Sequence, residues 1–168
     1  MTKQANQTID GSEFWQHAKF LGSHDRPALL FDWIYGRRLT DPVEVAATVP
    51  AVWSGAHLPF RSLGAQGWID LFQIAGYTED GVPAERPIEP LTLYRAAEPR
   101  YVHRLAWSAS IDVARRFIEI NAARYGDTPR FIYYITVEPG RLLAHITDRG
   151  EDEYVTDTRG LKAKRWES

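Results

Sequence analysis

The segment DRGEDEYVTD, residues 148–157, sets Glu151, Asp152 and Glu153 in a row directly before an apolar alternation that reads as a strand. Along a strand, residues i and i+2 share a face, so this spacing aims Glu151 and Glu153 into one place and Asp152 away from it. The pairing requires the strand to begin by residue 151. Two such carboxylates can stabilise positive charge developing at a sugar carbon, or bind and orient a cationic partner. Upstream, Arg95 in LYRA carries a planar fork of donors suited to phosphate or ribose oxygens. Ser108 and Ser110 in AWSAS add hydroxyls at a strand end. Each alone has a plainer explanation: arginines at strand ends are common, serines before a helix cap it, and turn carboxylates are solvated. Their order on three separate predicted strands sets them apart.

The elements that must hold these residues change character along the chain. DRPALLFDWIYG reads as a helix with Asp25 as its cap, Pro27 in the first turn and Gly36 as its stop. TDPVEVAATV offers Asp41 as N-cap, Pro42 first and Glu44 at capping-box spacing, and Pro50 is expected to end or kink that helix. In SLGAQGWIDLFQIAGY, Trp68, Leu71, Phe72 and Ala75 recur as one core face, with Gly76 as the stop. Residues 78–90, TEDGVPAERPIEP, hold three prolines, a glycine and four acidic residues, and read as free of regular structure. This divides the chain into a helical region over 1–80, a linker over 81–90 and a strand-rich core over 91–168, unless the halves form one integrated domain.

Beyond the linker, strands are expected at 91–97, 104–109, 130–137, 142–147 and 152–158. They are interrupted by a helix over SIDVARRFIEINAARYG with Val113, Phe117 and Ile120 on one face. The last three strands are expected to form a meander through the VEPG turn, with Phe131, Tyr133, Ile135 and Val137 as a core face. The terminal LKAKRWES reads as a frayed, solvated end, with a phosphate contact as its alternative.

LYRA, AWSAS and EDEYV, in that order, resemble the arginine, serine, glutamate signature of the toxin-like ADP-ribosyltransferases. The resemblance spans residues 91–160 and takes in Ser110, Ala114 and Phe117 as a SxxxAxxF pattern at the head of the helix. The helical first half resembles no family. The resemblance implies an α+β fold, an N-terminal helical layer followed by a compact ADP-ribosyltransferase-like core of short, mainly antiparallel strands with one central helix. It implies NAD as a cosubstrate, consumed with release of nicotinamide. By the same resemblance Glu153 stabilises the oxocarbenium-like state and bonds the ribose, while Glu151, as the first Glu of Glu-x-Glu, goes with a protein arginine as acceptor. Arg95 would anchor NAD, and Ser108 would hold the ribose or Glu153. Tyr94 would present backbone to the nicotinamide, and Trp107, or one of Phe131, Tyr133 and Tyr134, the aromatic face. Ser110 would bind beside Ser108 or cap the helix. HITDRG would be the loop that meets the acceptor, with Asp148, Arg149 and Gly150 poised to move. Two departures stand out: the serine motif lacks the central Thr of many relatives, and EPRYVH must serve as a short connection between Arg95 and Ser108.

Composition narrows the partners. Lys+Arg 20 against Asp+Glu 22 leaves a net charge of −2, which gives no global footprint for nucleic acid or an anionic membrane. YGRR and LKAKRWES are the local cationic stretches. With no cysteine there is no disulfide framework, thiolate nucleophile or Cys-bound zinc, and the five histidines lack metal-ligand spacing. No run approaches the ~18 apolar residues of a membrane span, and the polar start is read as neither signal peptide nor lipid anchor. A cytoplasmic protein, acting at home or in a target cell, is expected. Trp15, Trp33, Trp53 and Trp68 imply that the first half folds and packs. The readings that stand beside the transferase are an NAD glycohydrolase using Arg95, Ser108 and Glu153, a nucleic-acid-modifying enzyme, and a non-catalytic interaction module. An antitoxin or inhibitor partner is not legible.

Overall fold

The computed structural model describes residues 12–126 and 128–167, with five α-helices and eight strands among them, a mixed α+β chain. It divides between Glu85 and Arg86 into two compact units.

The first unit carries α1 (Glu13–Ala18), α2 (Arg26–Tyr35), α3 (Pro42–Gly55) and α4 (Pro59–Ala75). Asp41 accepts a hydrogen bond from the Glu44 amide at 2.9 Å, as the capping spacing predicts. Asp25 stands at the cap of α2, but its side chain makes no capping bond. Pro50 does not end α3, which continues to Gly55. Burial of Val49, Val52 and Trp53 around it outweighs the one backbone bond that proline forfeits. Trp68, Leu71 and Phe72 are buried as one stripe, and Trp53 meets Trp68 and Phe72 edge-on at 5.1 and 5.7 Å. The Trp68 indole N–H donates to the Pro59 carbonyl at 2.8 Å, so its polar atom is satisfied in the core. Residues 78–90 are not free of structure: β1 (Thr78–Glu79) and β2 (Val82–Pro83) pair as an antiparallel hairpin. Asp80 and Gly81, with φ of 47° and 78°, make the left-handed two-residue turn that an Asp-Gly pair favours. A Cβ on Gly81 would stand 3.3 Å from the Ala47 Cα, so the hairpin tip needs a glycine against α3 as well.

The second unit contains β3 (Leu91–Ala97), β4 (Ala106–Ser108), α5 (Ile111–Tyr125), β5 (Phe131–Val137), β6 (Leu142–Ile146), β7 (Glu153–Thr156) and β8 (Lys164–Arg165). The strands lie in the order β6-β7-β4-β3-β5-β8 and pair antiparallel. Only half of the expected meander forms: β6 and β7 pair antiparallel, but β5 is not beside β6. β5 pairs with β3 along all seven residues, and β7 pairs with β6 and β4, so three strands separate β5 from β6. Residues 138–141 join those two strands and include a 3-10 turn at Pro139–Arg141. The sheet's thinnest seam is between β3 and β4, where Tyr94 opposite Ser108 is the registered pair.

Helix α5 packs on β3, β4 and β5 with Val113 and Ala114 buried. Phe117 and Ile120 are 37% and 47% exposed, so the buried face is narrower than the expected Val113, Phe117 and Ile120 stripe. In β5 the expected core face is buried at Ile135 and Val137 and half-buried at Phe131 and Tyr133. The C-terminal segment is not frayed: β8 pairs with β5, and the Trp166 amide donates to the Ile132 carbonyl at 2.7 Å. The Trp166 ring meets Tyr94 and Tyr134 edge-on at 5.6 and 5.8 Å, aromatic contacts that hold a sequence otherwise rich in charge. Among the described residues no helix is long and apolar enough to cross a membrane.

Candidate active site

A cleft of about 280 Å³ opens at the β3–β4 seam. Its floor is Tyr94, Arg95 and Ala96 of β3 with Ala106, Trp107 and Ser108 of β4. Val113, Ala114, Phe117 and Asn121 of α5 form a wall, and Glu151 and Glu153 close the rim.

Register brings two of the polar groups together. Tyr134, Tyr94, Ser108, Glu153 and Ile146 stand opposite one another in succession across β5, β3, β4, β7 and β6. Residues directly opposed in a ladder point to the same face, so Ser108 and Glu153 share the cleft side by construction.

Glu151 arrives by a different route from the one the spacing predicts. β7 begins at Glu153, not by residue 151, and Asp152 has a φ of 44°, so the two glutamates are not successive residues of one strand face. A left-handed residue between them, a conformation Asp tolerates better than most, turns the chain so that both line the cleft. Ser108 holds the turn. Its hydroxyl donates to the Glu151 carbonyl at 2.7 Å and accepts from the Ser110 amide at 3.1 Å, while the Ala109 amide donates to the Asp152 carbonyl at 3.2 Å. Asp152 is turned to His145, whose Nε2 lies 2.6 Å from its Oδ1.

Arg95 is pinned from below. Its Nη1 donates to the Ala106 carbonyl at 2.7 Å, and its Nε points to the Tyr101 carbonyl at 3.4 Å. Burial lowers its pKa to about 10, Arg104 pushes the same way, and Glu153 opposes them. The guanidinium therefore stays charged at neutral pH, and those two contacts leave further N–H donors for an anion.

Trp107 borders the cleft but is 2% exposed, with its indole N–H donated to the Arg104 carbonyl at 2.8 Å. Phe131 lies beneath the Arg165 guanidinium at 3.5 Å, beside a separate groove, and Tyr134 meets Trp166. The aromatic ring presented to the cleft from α5 is Phe117, which the sequence offered as part of the helix's core face and of the SxxxAxxF pattern. Asn121, one turn on, carried no signal. Ser110 occupies the N-cap position of α5 without a side-chain capping bond and does not line the cleft.

Comparison with protein-family models, curated proteins and solved structures finds no match to this chain. Among the described residues no cluster of three or more His, Cys, Asp or Glu side chains could hold a metal ion.

Proposed function

We propose that the chain is an NAD-dependent mono-ADP-ribosyltransferase that moves ADP-ribose to a protein arginine and releases nicotinamide. The observation that carries this reading is the convergence of Arg95, Ser108, Glu151 and Glu153 on one cleft, with Ser108 and Glu153 directly opposed in the ladder. The toxin-like core implied by the three motifs is part of the proposal.

The residues suit the substrate chemically. At about 280 Å³ the cleft lies just below the usual ~300–1,000 Å³ of small-molecule pockets, room for the nicotinamide ribose end of a dinucleotide. Phe117, Val113 and Ala114 offer an apolar wall to the ring, and the remaining Arg95 donors suit ribose or phosphate oxygens. Glu153 stabilises the positive charge on the ribose C1′ as the bond to the nicotinamide nitrogen breaks. Both bonding electrons leave with nicotinamide, which departs neutral. An acceptor guanidinium is protonated at any working pH, so a carboxylate is needed to orient it. Glu151 does this and takes the proton lost as the new C–N bond forms.

The test is to follow nicotinamide release and transfer of labelled ADP-ribose to arginine-bearing protein with the intact chain and Glu153→Gln. Both signals are expected in the wild type and a fall of at least ~100-fold in the variant, the scale of losing a transition-state charge partner. Absence of nicotinamide release from the wild type, with or without acceptor protein, would sink the proposal.

A further inference from the structure

Between the two cleft glutamates sits a residue that does not face the cleft. Asp152 adopts a φ of 44°, a conformation unfavourable for a residue with a side chain, and something must hold it there. Its carboxylate meets His145 at 2.6 Å. His145 is opposite Tyr154 in the β6–β7 ladder, and the two rings stack at 4.1 Å and 8°. Tyr154 is 8% exposed and the His145 side chain 15%, so this stack is a packed surface rather than a passing contact. Successive strand residues face opposite ways, which puts Tyr154 and His145 on the face turned from Glu153. Since a carboxylate accepts, Nε2 carries the proton and donates it, fixing the ring's orientation.

We infer that His145 is a positioning residue that acts through Asp152: stacked on Tyr154, it clamps Asp152 in the left-handed turn that places Glu151 and Glu153 in the same cleft. The inference rests on the catalytic reading of those two glutamates. His145 is not among the residues that line the cleft. Its effect is on where two carboxylates stand, and shifts of about 1 Å in such groups can cost ~100-fold in rate.

Backbone conformation supplies the test. Glycine adopts positive φ without steric cost, whereas alanine resists it and lacks the carboxylate. His145→Ala and Asp152→Ala are therefore expected to lower the kcat for transfer at least ~10-fold, with the KM for NAD within about twofold because Arg95 and the α5 wall are intact. Asp152→Gly should recover most of the loss, since it restores the turn without the clamp. A purely structural role would lower all three together with thermal stability and give no such rescue. Exchange of the Ala109 amide, which donates to the Asp152 carbonyl, should speed up at least ~10-fold in His145→Ala as the turn loosens. Wild-type kcat in both alanine variants, or glycine no better than alanine, would overturn the inference. Should the wild type release no nicotinamide, the catalytic reading fails, and the amide then decides alone: unchanged Ala109 exchange in His145→Ala would overturn the clamp.

Discussion

Ser108 and Glu153 stand directly opposite each other across β4 and β7, and the Ser108 hydroxyl reaches past that pair to donate to the Glu151 carbonyl at 2.7 Å. One buried side chain thus ties the rim of the cleft to its floor, besides accepting from the Ser110 amide. Ser108→Ala leaves both backbone groups without that partner at a site where Ser108 is 6% exposed. A loss of about 1–3 kcal/mol is expected. Chemical denaturation would measure it, and an unchanged midpoint would show that water takes over both contacts.

Arg95 carries its charge at a cost. Burial lowers its pKa to about 10 in the fold, so the protonated form is penalised there at every pH below that value. As a group whose folded pKa is depressed, it binds fewer protons folded than unfolded above about pH 10, and the fold gains stability only as pH rises through and beyond that value. Around neutrality the penalty is constant. Arg95→Met removes it while keeping most of the volume, and replacing a buried charge by an apolar residue is often neutral or stabilising. The expected result is a melting temperature not below that of the wild type, with nicotinamide release reduced at least ~100-fold. A fall of several degrees would mean that the bond to the Ala106 carbonyl outweighs the desolvation.

Asp157 provides the acid-sensitive element. Its hydrogen bond to Arg159 is the main cause that holds its pKa below the ordinary 3.8, with burial opposing. Its Oδ2 lies 2.7 Å from Arg159 Nη2, while its amide donates to the Arg141 carbonyl at 2.9 Å. A depressed carboxylate stabilises the fold above its unfolded pKa, and that contribution is lost as pH falls through the folded value. Asp157→Asn should lower stability by about 1 kcal/mol at neutral pH, because Arg159 is half exposed and water screens the pair. The difference from the wild type should close in the window below 3.8. Urea midpoints at neutral pH and in strong acid would decide it, and a gap that persists in acid would assign the effect to packing.

Local chemistry was legible where one segment decides its own structure. LTLYRAA is a strand over its full predicted length, because its alternation is bracketed by Pro90 and Pro99. The Asp41 cap and the buried Trp68, Leu71 and Phe72 stripe likewise follow from spacing. Strand adjacency was not legible: β5 takes β3 and not β6 as its partner, a choice made by contacts far apart in sequence. The hairpin at Asp80–Gly81 was hidden by surrounding prolines, although the Asp-Gly pair carries its own turn signal. For the site, the three motifs pointed to residues that line one cleft, but the i, i+2 argument for Glu151 and Glu153 presumed an extended Asp152. Its left-handed turn depends on Ser108 and His145, 44 and 7 residues away, and no local pattern announces it.

Glu151→Gln separates the two ways in which this cleft can use NAD. The Ser108 contact is made to the Glu151 backbone carbonyl, so the substitution leaves that tie in place and removes only a carboxylate from the rim. Glu153, Arg95 and Ser108 remain to break the bond to nicotinamide. If Glu151 orients an arginine acceptor, label transfer to protein should fall at least ~100-fold while nicotinamide release stays within about threefold of the wild type. Equal loss of both signals would place Glu151 in the bond-breaking step itself. Retention of both would mean that the acceptor is not held by this carboxylate, and water would be the first acceptor to test, by comparing free ADP-ribose with protein-bound label.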